Sequence, residues 1–389
     1  MNKNYLTKFF AFLGLLLAAN GLLCWYTDPY AIFHTAKLNP PSPYATELMY
    51  YLRVTKAYQL EYLKPDDLII GSSRAAILTP AKLDRPNEVA YNAALPGITS
   101  YEMWRYLRHA ITIQKPKRII IGLDYESFLI DDDKFLIRFE QHRLADNADD
   151  LRPLQSFARH YPDYWASLAS ANATTKALAT LLKFNSGNIF LSDGTWSERR
   201  EPGQLLLIGR PGYNFIAKQY FQRYADKRTT YSLEYLQRIL DECYRLNIEV
   251  ILYISPAHNL ISTVYQYAHH YDARQQWQRD TTQLIEDLAR SHQATPYPLW
   301  GFEDNNIVAD DPERGLTTEG AVFRDGLHFS VEFGDAILRQ VTASGPDNLG
   351  TSLTGATIDA YLAKTAANLT NYQQQHPDEM ERLRKNLGL

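Results

Sequence analysis

The chain has 389 residues, 45% of them hydrophobic and 22% charged, which excludes a disordered polypeptide and allows one elaborated domain or two. Forty Lys and Arg against forty-four Asp and Glu leave a net charge of −4, so no global attraction to nucleic acid or to an anionic membrane is expected. Two cysteines, Cys24 and Cys243, are too few for a disulfide framework, and no spacing of metal ligands is evident.

Residues 1–8 form a short basic N-terminus. Residues 9–27, FFAFLGLLLAANGLLCWYT, carry no charge and as a helix span about 28 Å, the thickness of a bilayer core. Lys3 and Lys8 precede the run and Asp28 follows it. The positive-inside bias therefore predicts a single-pass anchor in the inner (cytoplasmic) membrane, with the N-terminus cytoplasmic and the rest extracytoplasmic, in the periplasm. Trp25 and Tyr26 sit where an interfacial aromatic belt belongs. A cleaved signal peptide is the alternative, but no A-x-A site follows the apolar run.

Residues 28–64 read as a connecting helical segment ending in YLRVTKAYQLEYL (51–63). An α/β domain is expected over 65–342. It begins with the buried strand LIIG (68–71), continues with a strand over 88–94 and a helix over 100–112, and then a strand from 117 that breaks at Gly122. A stretch at about 131–230 loses this rhythm and reads as an insertion with short helical pieces around 151–184. The rhythm resumes with a periodic helix (230–247), a buried strand (248–256) and a helix over 331–341. Alternation of strand and helix implies a parallel sheet. Residues 343–389 read as a Gly/Ser/Pro-rich linker and a C-terminal helix.

Ligands of an open parallel sheet gather at the carboxyl ends of its strands. There the sequence delivers Gly71-Ser72-Ser73-Arg74, then Asn92 and Pro96-Gly97, then Gly122-Leu123-Asp124, then Ser255-Pro256-Ala257-His258. A serine hydroxyl needs an imidazole to take its proton, and the imidazole needs a carboxylate to hold its tautomer. Asp325 and His328 supply that pair three residues apart. His258 is either a second acid/base or substrate donor, or a structural residue at a helix start. His269-His270 and Asp131–Asp133 read as solvated surface.

Three blocks in order, IIGSSR (69–74), VAYNAALPG (89–97) and RDGLHFS (324–330), make the chain resemble the SGNH (GDSL-like) hydrolase superfamily. The resemblance covers about 65–130 and 230–342. It implies a flavodoxin-like three-layer core and aligns Ser73, rather than Ser72, with the nucleophile. Asp325 and His328 then complete the relay, and Gly97 contributes to the oxyanion site. The family's third block offers an Asn amide, whereas this strand ends at Asp124, which when ionised only accepts hydrogen bonds. Either Asp124 is protonated, or it points elsewhere, or the N–H groups of Ser73 and Gly97 suffice; Asn92 and Arg74 are possible substitutes.

The GSSR variant, the anchor and the insertion resemble the superfamily's envelope branch, which includes polysaccharide O-acetylation proteins and DltD-like proteins. This implies an O-acetyltransferase or esterase acting on an exopolysaccharide or other acylated cell-envelope polymer, without cofactor or metal, beside a membrane-bound O-acyltransferase. A non-catalytic scaffold or polymer-binding partner of such an enzyme is the alternative, and a lipid-directed esterase a third.

Overall fold

The computed structural model describes residues 3–34, 45–83, 85–130, 139–182, 188–190, 192–198, 210–305, 322–342 and 349–389. In chain order the elements begin with α1 (Lys3–Thr27), α2 (Ala45–Leu63), β1 (Asp67–Ile70), β2 (Ala90–Asn92), α3 (Ser100–Ile113) and β3 (Arg118–Leu123). The middle of the chain forms α4 (Pro153–Ala169), α5 (Ala171–Leu181), β4 (Asn188–Phe190), β5 (Trp196–Glu198), α6 (Arg210–Tyr224) and α7 (Glu234–Leu246). Then come β6 (Glu249–Ile254), α8 (Asn259–Tyr267), α9 (Tyr271–Ser291), β7 (Leu299–Gly301), α10 (Val331–Val341), β8 (Thr351–Ser352), α11 (Ile358–Gln375) and α12 (Pro377–Leu387).

The chain divides into two compact units. One comprises the described residues within Pro65–Leu107, Lys115–Leu136 and Leu205–Leu389 and holds a six-stranded sheet ordered β2-β1-β3-β6-β7-β8. The first five strands are parallel and β8 is an antiparallel edge. Numbered by their own succession, the parallel strands run 2-1-3-4-5, a doubly wound order whose direction of winding reverses between β1 and β3.

All six residues of β3 are buried, the signature of a strand covered on both faces. It runs through Gly122 to Leu123, correcting the expected break. The glycine serves close packing instead: a Cβ there would lie 2.6 Å from the Tyr253 hydroxyl on β6. At the strands' other end Arg118 Nη2 pairs with Asp67 Oδ2 at 2.8 Å, fixing the β1–β3 register. Leu236, Ile239, Leu240 and Cys243 form the buried stripe of α7, which ends on Asn247 in the left-handed region (φ 50°) and turns directly into β6. The tail belongs to this unit too, and Thr351–Ser352, inside the expected linker, pairs with β7.

The other unit comprises the described residues within Met1–Lys64, Arg108–Gln114 and Ile137–Gln204. Much of the expected insertion therefore groups with the N-terminal segment, while α6 groups with the sheet. Over Asn4–Thr27, α1 is long and apolar enough to cross a membrane. Its last two turns pack on α4 and α5, where Cys24, Tyr58, Ala173 and Ala177 share a small apolar core. Asp131–Asp133 lie outside the described residues.

Candidate active site

The local chain around Ser73 explains its exposure. Gly71 leaves β1 where a Cβ would meet Ala75 Cβ at 2.7 Å and Gly122 O at 2.9 Å, so only glycine lets the turn lie against β3. Ala75 and Ala76 both donate backbone N–H groups to Ser72 O at 3.1 Å, coiling the chain tightly after the serine pair. Ser72 is buried by this turn and Ser73 stays partly open. Ser72 Oγ accepts from Arg74 N at 3.1 Å, whereas Ser73 Oγ lies 2.9 Å from His328 Nε2. The two serines thus have different roles, and it is Ser73 that faces the imidazole.

His328 Nδ1 lies 2.7 Å from Asp325 Oδ2. Asp325 Oδ1 also accepts the backbone N–H groups of His328 (2.8 Å) and Leu327 (3.0 Å), so the carboxylate folds its own loop before it orients the ring. Burial alone would raise this carboxyl group. The His328 charge and these hydrogen bonds outweigh it and hold Asp325 below its ordinary value. With Asp325 ionised, the Nδ1 proton is fixed toward it and Nε2 is left to accept from Ser73.

A carboxylate depressed in the folded state contributes stability that is complete above its unfolded pKa, about 4, and is lost as pH falls through the lower folded value. Thermal unfolding of wild type and Asp325→Asn, followed from pH 7 to pH 3, should therefore show the largest gap at neutral pH and a closing gap in acid. A gap that widens as pH falls would refute the assignment.

The Asp325–His328 loop is closed by Arg324 N donating to His328 O and Ser330 N donating to Val322 O, both at 2.8 Å. Gly326 turns the loop at φ +81°, and a Cβ there would sit 2.8 Å from the Tyr213 ring. Ser330 then caps α10 by accepting from Phe333 N.

His258 is fully buried, which corrects the reading of it as a second acid/base or substrate donor. Its N–H donates to Gly326 O at 2.9 Å, and its Nδ1 accepts from Leu260 N at 3.0 Å as the N-cap of α8. Tyr213, Phe323 and Tyr372 meet the ring at steep angles. Burial, with a smaller contribution from His376, pushes the imidazole down to about 3 and keeps it neutral. His258 supports the loop that carries Asp325 and His328. His270, expected on the surface, is also fully buried, between the Tyr125 hydroxyl (3.2 Å) and Tyr224 O (3.1 Å).

Asn92 is likewise committed to the fold. Its amide donates to Ala75 O (2.8 Å) and Leu78 O (2.9 Å), and its Oδ1 accepts from Ala94 N (3.0 Å). It therefore ties the segment after Ser73 to the end of β2 rather than offering an amide to a ligand. Asn92→Leu, which removes these three hydrogen bonds, should cost about 1.5–4.5 kcal/mol at roughly 0.5–1.5 per bond, read from thermal unfolding. A change under about 0.5 kcal/mol would contradict this role.

Leu95 N donates to Gly71 O at 2.9 Å, so the segments leaving β1 and β2 run side by side, and Ser73 and Gly97 each lie two residues beyond that bond. Gly97 adopts φ +60°. Neither the Ser73 nor the Gly97 N–H has a hydrogen-bond partner among the described residues, which leaves both as donors for a ligand.

Asp124, the residue after β3, lies against Arg74: Arg74 Nε lies 2.8 Å from Asp124 Oδ1, and Arg74 Nη2 lies 2.8 Å from Glu126 Oε2. Tyr265 OH donates to the other oxygen of Glu126. Two carboxylates share one guanidinium and are pushed apart. Burial raises Asp124 despite Arg74, while at Glu126 Arg74 and the Tyr265 hydroxyl overcome burial and hold the group low. The sequence named Arg74 and Asp124 but not their link. It missed Glu126, whose only signal was its place two residues beyond the strand end.

No family model and no curated protein matches this chain. Among the described residues no group of three or more His, Cys, Asp or Glu could hold a metal ion.

Proposed function

We propose that the protein is a membrane-anchored, extracytoplasmic serine acyltransferase or acylesterase of SGNH type, acting on acetyl or related acyl groups of a cell-envelope polysaccharide. The observation that carries this reading is the Ser73–His328–Asp325 relay, with links of 2.9 and 2.7 Å, at the carboxyl edge of a parallel sheet where its winding reverses. His328 takes the Ser73 proton as Oγ attacks an acyl carbonyl. The oxyanion lies between the Ser73 and Gly97 N–H groups, and His328 returns the proton to the leaving alcohol. A sugar hydroxyl or water, deprotonated by the same imidazole, then releases the acyl group.

Asp124 is engaged with Arg74, so this oxyanion site works through backbone donors rather than the amide usual in the family. The apolar α1 tethers the catalytic unit and raises its effective concentration near a membrane-bound O-acyltransferase.

The test uses the full-length protein in detergent with an activated acetyl ester, with and without polysaccharide fragments. A covalently acetylated Ser73 peptide is expected, discharged faster when the acceptor sugar is added. Absence of any acyl-enzyme would favour the scaffold reading, and activity confined to phospholipid esters would favour a lipid esterase.

A further inference from the structure

The α4–α5 hairpin is built inside out. On α4 the buried positions are polar: Arg159 pairs with Glu61, His160 lies 3.1 Å from the same carboxylate, and Asp163 takes Arg143 Nε at 2.6 Å and the Tyr58 hydroxyl at 3.2 Å. Its large exposed side chains recur at helical spacing and are apolar or aromatic: Leu154 (75% exposed), Phe157 (55%), Tyr161 (49%) and Trp165 (62%), with Gln155 the one exposed side chain of α4 that is an amide. On α5, Ala173 and Ala177 are buried, while Leu178, Leu181 and the following Leu182 face outward. None of the exposed residues from Pro153 to Leu182 is charged. Water on this face would favour the opposite arrangement of the two helix sides.

The hairpin's place beside α1 points to what covers that face. The α4–α5 turn meets α1 inside the apolar run: Asn20 Nδ2 donates to Leu168 O at 3.1 Å, and Thr174 Oγ1 donates to Asn20 Oδ1 at 2.8 Å. Asn20, the polar interruption in the apolar run, is thus satisfied by the hairpin, as a polar side chain at membrane depth requires. Small residues next to Cys24 allow the close approach typical of helices packed within lipid. From Asn20 to Thr27 is about 10 Å along the helix axis, so a run that fills the hydrocarbon carries the hairpin tip into one leaflet with it.

The geometry points to the α4–α5 hairpin as a second lipid-contacting element, its Leu154–Phe157–Tyr161–Trp165 and Leu178–Leu181–Leu182 faces seated in the extracytoplasmic leaflet beside α1. This rests on α1 lying in the membrane, as proposed above. The occupant is lipid rather than a partner protein because the hairpin that carries this face packs directly on the apolar α1.

The test places a nitroxide on the full-length protein in phosphatidylethanolamine–phosphatidylglycerol vesicles, using Phe157→Cys, Trp165→Cys and Leu178→Cys one at a time. Cys24 and Cys243 are buried, so the added thiol takes the label. Leu13→Cys reports on α1, and Asp149→Cys on exposed polar surface of the same unit. The three hairpin labels should be relaxed by oxygen and lose accessibility to a nickel chelate, following Leu13 rather than Asp149. Nickel accessibility equal to that at Asp149, with Leu13 still shielded, overturns the proposal while sparing the anchor. Shielding from both reagents overturns it in favour of a protein partner. A Leu13 label open to nickel removes the anchor reading and this proposal together.

Discussion

Replacing Ser73 with alanine in the full-length protein should lower turnover of an activated acetyl ester by about 10⁴-fold or more, and His328→Ala should do the same. That scale follows from relays in which serine and imidazole act as one unit, so that losing either member removes most of the effect and their double variant is no worse than the worse single one. Asp325→Asn should cost about 10⁴-fold with the geometry intact, because Asn places an N–H donor or a neutral carbonyl where the imidazole needs a charged acceptor. Ser72→Ala provides the internal comparison. Its hydroxyl serves the turn, accepting from Arg74 N, so its loss should cost stability more than turnover. The decisive measurement is the steady-state rate together with the mass of the Ser73 peptide after rapid quenching. Wild-type turnover in Ser73→Ala, or an acyl group on Ser72, would remove the mechanism.

The second large effect is expected at Arg74. Its guanidinium is held between Asp124 and Glu126, with side chains only 4%, 2% and 11% exposed. Two charges in such surroundings are tolerable only while the cation is present. Arg74→Met should therefore destabilise the protein by about 3–5 kcal/mol, the cost of leaving buried carboxylates without a counter-charge. Removing the carboxylates as well, in Arg74→Met with Asp124→Asn and Glu126→Gln, should restore a large part of that loss, a non-additivity that identifies the cause as unpaired charge rather than lost packing. Unfolding in detergent followed by circular dichroism reads both variants, and strictly additive losses would contradict the shared-cation account.

What was legible in the sequence follows the strength of the local signal. The run over Arg118–Leu123 and the period of α7 announce their elements because every residue agrees with its neighbours. β7 and β8, three and two residues long, are too short to show a period, and Pro296 and Pro298 before β7 read as turn. The relay was visible because its residues are few and chemically distinct. The roles of Asn92, His258 and Asp124 were not, because residue type does not reveal a partner from another strand. Asn92 and His258 turned out to brace the two loops that carry Ser73 and His328. The stretch around α4 looked irregular for a physical reason: its polar side faces inward and its apolar side outward, the reverse of what a search for a water-facing helix looks for.

The two residues of β8 bear on how the chain must be made. They cover the outer edge of β7, with Leu353 N donating to Leu299 O at 2.8 Å, and they come fifty residues after the strand they protect. Until β8 has been made, the outer edge of β7 presents unpaired peptide groups, the kind of template on which a second chain can add a strand. A chain shortened before Thr351 keeps Ser73, Asp325 and His328 but also keeps that edge open. Such a truncation also removes Tyr372 from the His258 ring, so it should loosen the 324–330 loop as well as promote self-association, and β8 acts as a guard against pairing with the wrong chain.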